Sequence, residues 1–198
     1  EYSFFSYFGR INYDYQGKYL LKASIRKDGS SRFGKANRYG VFPAFSAGWV
    51  ISKEEFLSSS NVISLLKLRA SWGKTGNAEI GNFASRDLWN ATSYKQLPAI
   101  EPTQPANANL TWEKSTQADL GIDFGFFNNR ISGEIDYYNK KTDGLLFYQN
   151  IPYTSGYSNI YRNTGNLDNH GIEIVLNTQN IKTDNLSWDT NFNVAKNE

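Results

Sequence analysis

The sequence predicts an all-β fold: an antiparallel up-and-down meander of about eight long strands, forming part of a transmembrane β-barrel. Three observations carry this expectation. Apolar and polar residues alternate with period two along most of the chain, and helical spacing is nearly absent. The alternating runs are long. The connections between them alternate between short and long, once the segment 53–63 is counted as a compact turn.

The runs can be taken in order. The first two, at 2–15 and 18–28, are joined by Gln16-Gly17; in the second, Tyr19, Leu21, Ala23 and Ile25 face away from Lys22, Ser24 and Arg26. Asp28-Gly29-Ser30-Ser31 then reads as turn chemistry, with Gly29 supplying a positive φ and the Asp and Ser side chains bonding the local backbone. The third run, 40–52, contains Phe42-Pro43; a proline cannot donate to a ladder, which implies a bulge, an edge or a strand start. Ser52-Lys53-Glu54-Glu55 has capping-box spacing, predicting one short helical turn with Ser52 as cap and Glu55 reaching back. Glu54 and Glu55 could be posed as an acid–base pair, but neighbouring residues on a helical turn do not face each other.

In the fourth run, 64–75, Leu66, Leu68, Ala70 and Trp72 alternate with Lys67, Arg69 and Ser71. Gly73 and Gly76 mark its opening into the longest loop, 76–109. The fifth and sixth runs, 110–125 and 130–142, flank the tight turn Phe126 to Asn129; in the sixth, Ile131, Ile135 and Tyr137 oppose Ser132, Glu134 and Asp136. After a loop at 143–162 come the last two runs, 163–179 and 185–197, joined by 180–184. Ile172, Ile174 and Leu176 face away from Glu173 and Asn177, and Leu186, Trp188, Phe192 and Val194 from Ser187, Asp189, Asn191 and Asn193.

Tight turns at one end and long loops at the other are the pattern of outer-membrane barrels. A strand needs about 9 to 11 residues at a tilt of about 45° to cross a bilayer, and these runs reach that length. The alternation places Leu66, Leu68, Ala70, Trp72, Leu120, Ile122, Ile172, Ile174, Trp188 and Phe192 toward lipid. Lys67, Arg69, Glu173, Asp189 and Asn191 fall on the opposite face, toward a polar lumen. Tyr13, Tyr15 and Tyr19 around the first tight turn, and Phe124, Phe126 and Phe127 around the third, fit an interfacial aromatic girdle, although β-propensity also enriches aromatics in strands.

Composition narrows the function. The 198 residues carry 21 Lys and Arg against 19 Asp and Glu, a formal charge of +2, so no nucleic-acid partner is implied. Aromatic residues make up 16%, yet the mean hydropathy is -0.57. Cysteine is absent and His170 is the one histidine, which removes disulfide frameworks, thiolate zinc sites, Cys nucleophiles and any site needing two imidazoles. No apolar run reaches the roughly 18 residues of a transmembrane helix, and no signal-peptide pattern is visible. With Met absent and the last run ending on Asn197-Glu198 without a turn, a piece of a longer protein is expected.

Two motifs suggest chemistry and fail. Gly29-Ser30-Ser31-Arg32-Phe33-Gly34-Lys35-Ala36 has the glycine and lysine spacing of a phosphate loop, but Ala36 stands where a hydroxyl should meet Mg²⁺ and another strand follows where a helix should open. His170 sits beside Asp168 and Asn169 without a nucleophile-elbow motif. No catalytic, cofactor or metal site is expected.

The string RKDGSSRFGKANRYGVFPAFSAGWVISKEEF, which spans the first long loop, is similar to a signature of the SusC/RagA family of TonB-dependent outer-membrane transporters. LKLRASWGKTGN at 66–77, NANLTWEKSTQADLGIDFGFFNNRISGEIDYYNKKTDGLL at 107–146 and NTGNLDNHGIEIVLNT at 163–178 follow in family order. The resemblance covers essentially the whole chain. It implies a barrel of about 22 strands around a plugged lumen, with residues 1–198 a C-terminal portion of it and the plug, the TonB box and the closing strands outside the chain. It also implies localisation to the outer membrane of a Gram-negative, Bacteroidota-type bacterium and import of an oligosaccharide or peptide substrate. The partners it implies are outer-membrane lipid, a SusD-like lipoprotein and a TonB complex engaged through the plug.

The loops at 29–39, 76–109 and 143–162 are expected on the extracellular side. Trp89, Tyr94, Tyr148, Tyr153 and Tyr157 are the candidate ligand or lid contacts; Phe147 and Tyr161 belong to the same ring-rich loop. Mutual packing of the loops would account for the same rings. Two other readings remain at this stage: a soluble carbohydrate-binding β-sandwich using such rings as sugar platforms, and a stand-alone eight-stranded barrel.

Overall fold

A computed structural model describes residues 1–198. Eight strands form one antiparallel sheet: β1 (Phe4–Tyr15), β2 (Tyr19–Ser30), β3 (Tyr39–Val50), β4 (Ile63–Asn77), β7 (Glu113–Phe126), β8 (Ile131–Asp143), β11 (Asn166–Lys182) and β12 (Ser187–Asn197). They are ordered along the sheet as along the chain. The four connections at one end are short, and those at 31–38, 78–112 and 144–165 are long, as the sequence predicts. One continuous sheet replaces the two packed sheets of a sandwich. Because β1 and β12 pair only with β2 and β11, these eight strands do not close on themselves as a small barrel.

Register explains the alternation. Tyr15, Tyr19, Trp49, Leu68, Ile122, Ile135, Ile174 and Val194 stand opposite one another strand by strand, as successive partners in one row. Neighbouring residues along each strand point to the other face, so Lys67, Arg69, Asp123, Asp136 and Glu173 share the polar side. The apolar side is uncovered: Ile11 is 73% exposed, Leu120 58% and Phe192 55%. Only 16 of the 198 residues are buried, so the sheet has no apolar core of its own along its length.

The structure departs from the expected elements in four places. Two further hairpins stand inside the long loops: β5 (Leu88–Tyr94) with β6 (Leu97–Gln104), and β9 (Leu146–Asn150) with β10 (Asn159–Asn163). The expected strands at 110–125 and 163–179 are accordingly β7 and β11, each beginning about three residues later. Gly29 does not turn the chain; it lies within β2, where a Cβ would come within 2.6 Å of the Tyr39 ring, so its smallness and not a positive φ is used. Ser52 does not cap a helix. It sits inside a 3₁₀ turn, Ile51–Lys53, and the one-turn helix α1 (Glu55–Ser58) has Glu54 at its N-cap with no side-chain cap bond. Pro43 lies where β3 leaves β4, since that pairing runs only from Ala44 to Val50, and its missing donor therefore costs no ladder bond to β4.

Candidate functional site

The polar face carries a fixed charge network across β4, β7 and β8. Arg69 Nε donates to Asp123 Oδ1 at 2.6 Å, and its Nη2 donates to Asp136 Oδ2 at 3.0 Å and lies 3.5 Å from Glu134 Oε2. Lys67 Nζ reaches the other Asp123 oxygen at 3.2 Å. Gly121 stands between Arg69 and Asp136 in the same row. A Cβ there would overlap Asp136 Oδ1 and crowd the guanidinium at 3.0 Å, so the glycine is what lets the arginine cross a strand. Ser71 Oγ donates to Asp119 at 2.7 Å beside it. Lys67, Arg69, Ser71, Asp119, Gly121 and Asp136 border a trough of about 660 Å³ that also includes Arg10, Asn12 and Lys22. The face offers charged hydrogen-bonding groups, with Asp123, Asp136 and Asp119 held by Lys67, Arg69 and Ser71.

At the long-loop end the polar side is closed by the only apolar core: Phe33, Phe42, Ile80, Ala84, Leu110 and Trp112. Trp112 packs against Phe33 and Phe42 at ring separations of 5.3 and 5.4 Å and donates its indole N–H to the Arg38 carbonyl. A Cβ at Gly76 would overlap the Phe42 ring. Polar bonds sew the three loops into one cap. Asn107 Nδ2 donates to the Tyr161 carbonyl at 2.7 Å, Asn163 Nδ2 to the Thr111 carbonyl at 2.7 Å, and Ser85 Oγ to the Arg32 carbonyl at 3.1 Å. This core was not legible from the sequence, because its members are scattered through polar loop segments without periodicity; Phe33 and Ile80 standing beside Gly34 and Gly81 was the one available signal.

The five candidate rings are divided by the structure. Trp89 and Tyr94 belong to β5, 53% and 68% exposed, with Tyr94 at the hairpin tip beside Lys95. Tyr153 lies in a 3₁₀ turn at the tip of the other hairpin and is 84% exposed. Tyr148, in β9, packs on Tyr161 at a ring separation of 4.7 Å, and Tyr161 rests on the loop core. The half-buried Tyr157 donates its hydroxyl to Asp87 at 3.4 Å, linking the two long loops. Loss of water, followed by the nearby carboxylate, pushes its pKa up. Thus Trp89, Tyr94, Tyr148 and Tyr153 are all more than half exposed, Tyr148 pairing with Tyr161 within its own hairpin, while Tyr157 bonds one long loop to the other.

The residues of the motifs that suggested chemistry have partners of their own. The Ser30 and Ser31 amides donate to the Arg38 and Ser3 carbonyls, and Phe33 is buried, so those two amides are not free to cradle a phosphate. His170 Nε2 faces Glu198 at 3.8 Å on an exposed strand. Glu54 accepts from Tyr19 Oη at 2.7 Å, Trp49 Nε1 at 3.0 Å and Lys18 Nζ at 3.2 Å, a structural role that occupies both oxygens.

The family model described as TonB dependent receptor-like, beta-barrel matches residues 1–197. The chain is 44% identical to TonB-dependent receptor P39 of Formosa agariphila over 98% of its own length and 19% of that protein. It is 43% identical to TonB-dependent receptor SusC of Bacteroides thetaiotaomicron over 97% of its length and 20% of the relative. The chain therefore spans about a fifth of the length of the curated relatives it matches. Among solved structures, the RagAB peptide importer in its closed-closed state superposes with a TM-score of 0.92 at 33% identity, covering 99% of this chain and 22% of that one. The siderophore receptor PirA of Pseudomonas aeruginosa, at 17% identity and a TM-score of 0.65 over 99% of this chain and 34% of its own, shares the fold.

Proposed function

Because the chain belongs to the TonB-dependent receptor-like β-barrel family, we propose that residues 1–198 form part of the wall and extracellular loops of an outer-membrane nutrient importer. The observation that carries this reading is the two-sidedness of the sheet: a bare apolar face, and a polar face with the Lys67–Arg69–Asp123–Asp136 network. The apolar face meets lipid, where no water could satisfy a charge; the polar face lines the lumen. Tyr19 and Trp49 fit the membrane–water boundary, with apolar ring bodies and polar tips bonded to Glu54 in the adjoining turn. The site of action is the outer membrane of a Gram-negative, Bacteroidota-type bacterium.

The plug and TonB box belong to the remainder of the intact protein, and energy arrives from a TonB complex through them. The capped loops, with Trp89, Tyr94 and Tyr153 exposed, face the substrate and a SusD-like lipoprotein lid. The substrate is a glycan or a peptide; the peptide-importer name of the RagAB neighbour supports the second. The segment performs no catalytic step. Uptake of labelled oligosaccharide and peptide pools by cells with and without the full-length gene tests this reading. Gene-dependent accumulation of one pool is expected; accumulation of neither in cells shown to carry the assembled barrel would overturn it.

A further inference from the structure

The apolar face is not apolar to its end. On the side of the long loops five lysines, Lys196 among them, point the same way as the membrane-facing residues. Lys27 lies over the Tyr39 ring at 5.2 Å and Lys74 over Trp72 at 5.7 Å, which fixes both on that face. Lys74, Thr116 and Lys141 are successive partners across β4, β7 and β8, and Lys114 is one row farther out. The same face at that end also bears Lys196, opposite Ile172, and three carboxylates: Asp143, opposite Lys114 and 3.8 Å from Lys141; Asp168, opposite Lys141; and Glu198, which pairs with Lys196 and lies 3.8 Å from His170 Nε2. Five lysines against three carboxylates leave an excess of positive charge, and because Glu198 takes up Lys196 the excess lies on the other four. The short-turn ends of the strands carry no charged residue on this face; their outward side chains are Tyr15, Tyr19, Trp49, Phe124, Phe126 and Trp188. The excess positive charge is therefore confined to one rim, the group bonded to the outward rings at the other being the carboxylate of Glu54, and generic solubility would not place it so.

Resting on the membrane-wall reading above, we infer that Lys27, Lys74, Lys114 and Lys141 form a rim that binds the phosphate groups of glycolipid headgroups in the outer leaflet. Charge complementarity selects this occupant. Long loops mark the extracellular side of such barrels, and the lipid there in a Gram-negative outer membrane is a phosphorylated glycolipid. Lys74 and Lys141 are two strand spacings apart, roughly 9.5 Å. Their flexible arms can converge on one phosphate while the stems stay on apolar surface. The Trp72 and Tyr39 rings beneath hold two of the ammonium groups at the boundary by cation–π attraction.

The test uses the full-length protein in lipid nanodiscs containing equal amounts of monophosphorylated lipid A and its dephosphorylated form, with retained glycolipid read by mass spectrometry. The wild type should enrich the phosphorylated form about five-fold or more. Joint substitution Lys27→Gln, Lys74→Gln, Lys114→Gln and Lys141→Gln should abolish the preference. The four Arg replacements, and Lys140→Gln on the opposite face, should keep it. Equal retention of the two forms by the wild type, or an unchanged preference in the four-Gln variant, would overturn the inference, as would its loss in the four-Arg variant. Displacement of the lipid by inorganic phosphate, but not by chloride at matched ionic strength, would assign the rim to the free anion instead. Protease protection in the same discs reports insertion separately: an inserted barrel without preference ends this inference alone, whereas a protein that never inserts ends the membrane reading.

Discussion

Tyr19 and Trp49 face each other across the β2–β3 ladder with rings 6.4 Å apart and 11° from parallel, and both donate their polar hydrogen to the carboxylate of Glu54. One side chain in a turn thus fixes two rings of the sheet at its short-turn edge.

This arrangement predicts a pH dependence. The indole N–H of Trp49, then the Tyr19 hydroxyl and Lys18, favour the charged form of Glu54 and lower its pKa against the opposing cost of partial desolvation. A depressed folded-state pKa means that the stabilisation is fully present above the ordinary glutamate value, about 4.3. It is lost as pH falls through the lower folded value. Thermal unfolding of the intact barrel should show this acid-side loss in the wild type and a smaller one in Glu54→Gln. Identical slopes would show that Glu54 contributes nothing.

Gly121 and Asp136 should be energetically coupled, because the absent Cβ is what lets Arg69 reach Asp136. Gly121→Ala should destabilise the intact protein more than it destabilises the Asp136→Ala background, with a coupling of roughly 0.5–3 kcal/mol in a double-mutant cycle. Additive effects would mean that the cross-strand bond is not what the glycine serves.

The loop rings should separate into two classes. Tyr148→Ala removes the packing on Tyr161 and should lower loop stability by about 0.5–1.5 kcal/mol, whereas Trp89→Ala and Tyr153→Ala should reduce uptake without reducing assembled barrel. Barrel yield falling in step with uptake for Trp89→Ala would reassign that ring to packing.

The outer edges of β1 and β12 present unpaired backbone groups in the described sheet. Residues 1–198 expressed alone in water should therefore aggregate. A monodisperse, protease-resistant monomer by light scattering would contradict the assignment of this segment as part of a larger wall.

The eight-stranded sheet was legible because each strand has one wet and one dry face, so every second residue reports its side. Leu66 to Trp72 is the clearest case. The hairpin of β5 and β6 was not legible for the opposite reason: both its faces are largely exposed, Pro98 and Pro102 argue against strand, and its turn uses Lys95 and Gln96 at positive φ where glycine would be looked for. Ser52 misled because the capping-box spacing is local, while Glu54 is held by three donors from elsewhere in the fold. Of the candidate rings, sequence could place Tyr148 in a loop, but only the fold supplies Tyr161 as its partner.

The two-faced sheet is tested most directly by one pair of lysines. Leu120 sits at the middle of β7 on the apolar face, and Asn191 lies on the polar face of β12, where its amide bonds Asn177. In the full-length protein folded in bilayers, unfolding by urea should show Leu120→Lys destabilised by about 2–4 kcal/mol and Asn191→Lys nearly unchanged. Equal cost at the two positions would contradict the assignment of one face to lipid and the other to the lumen.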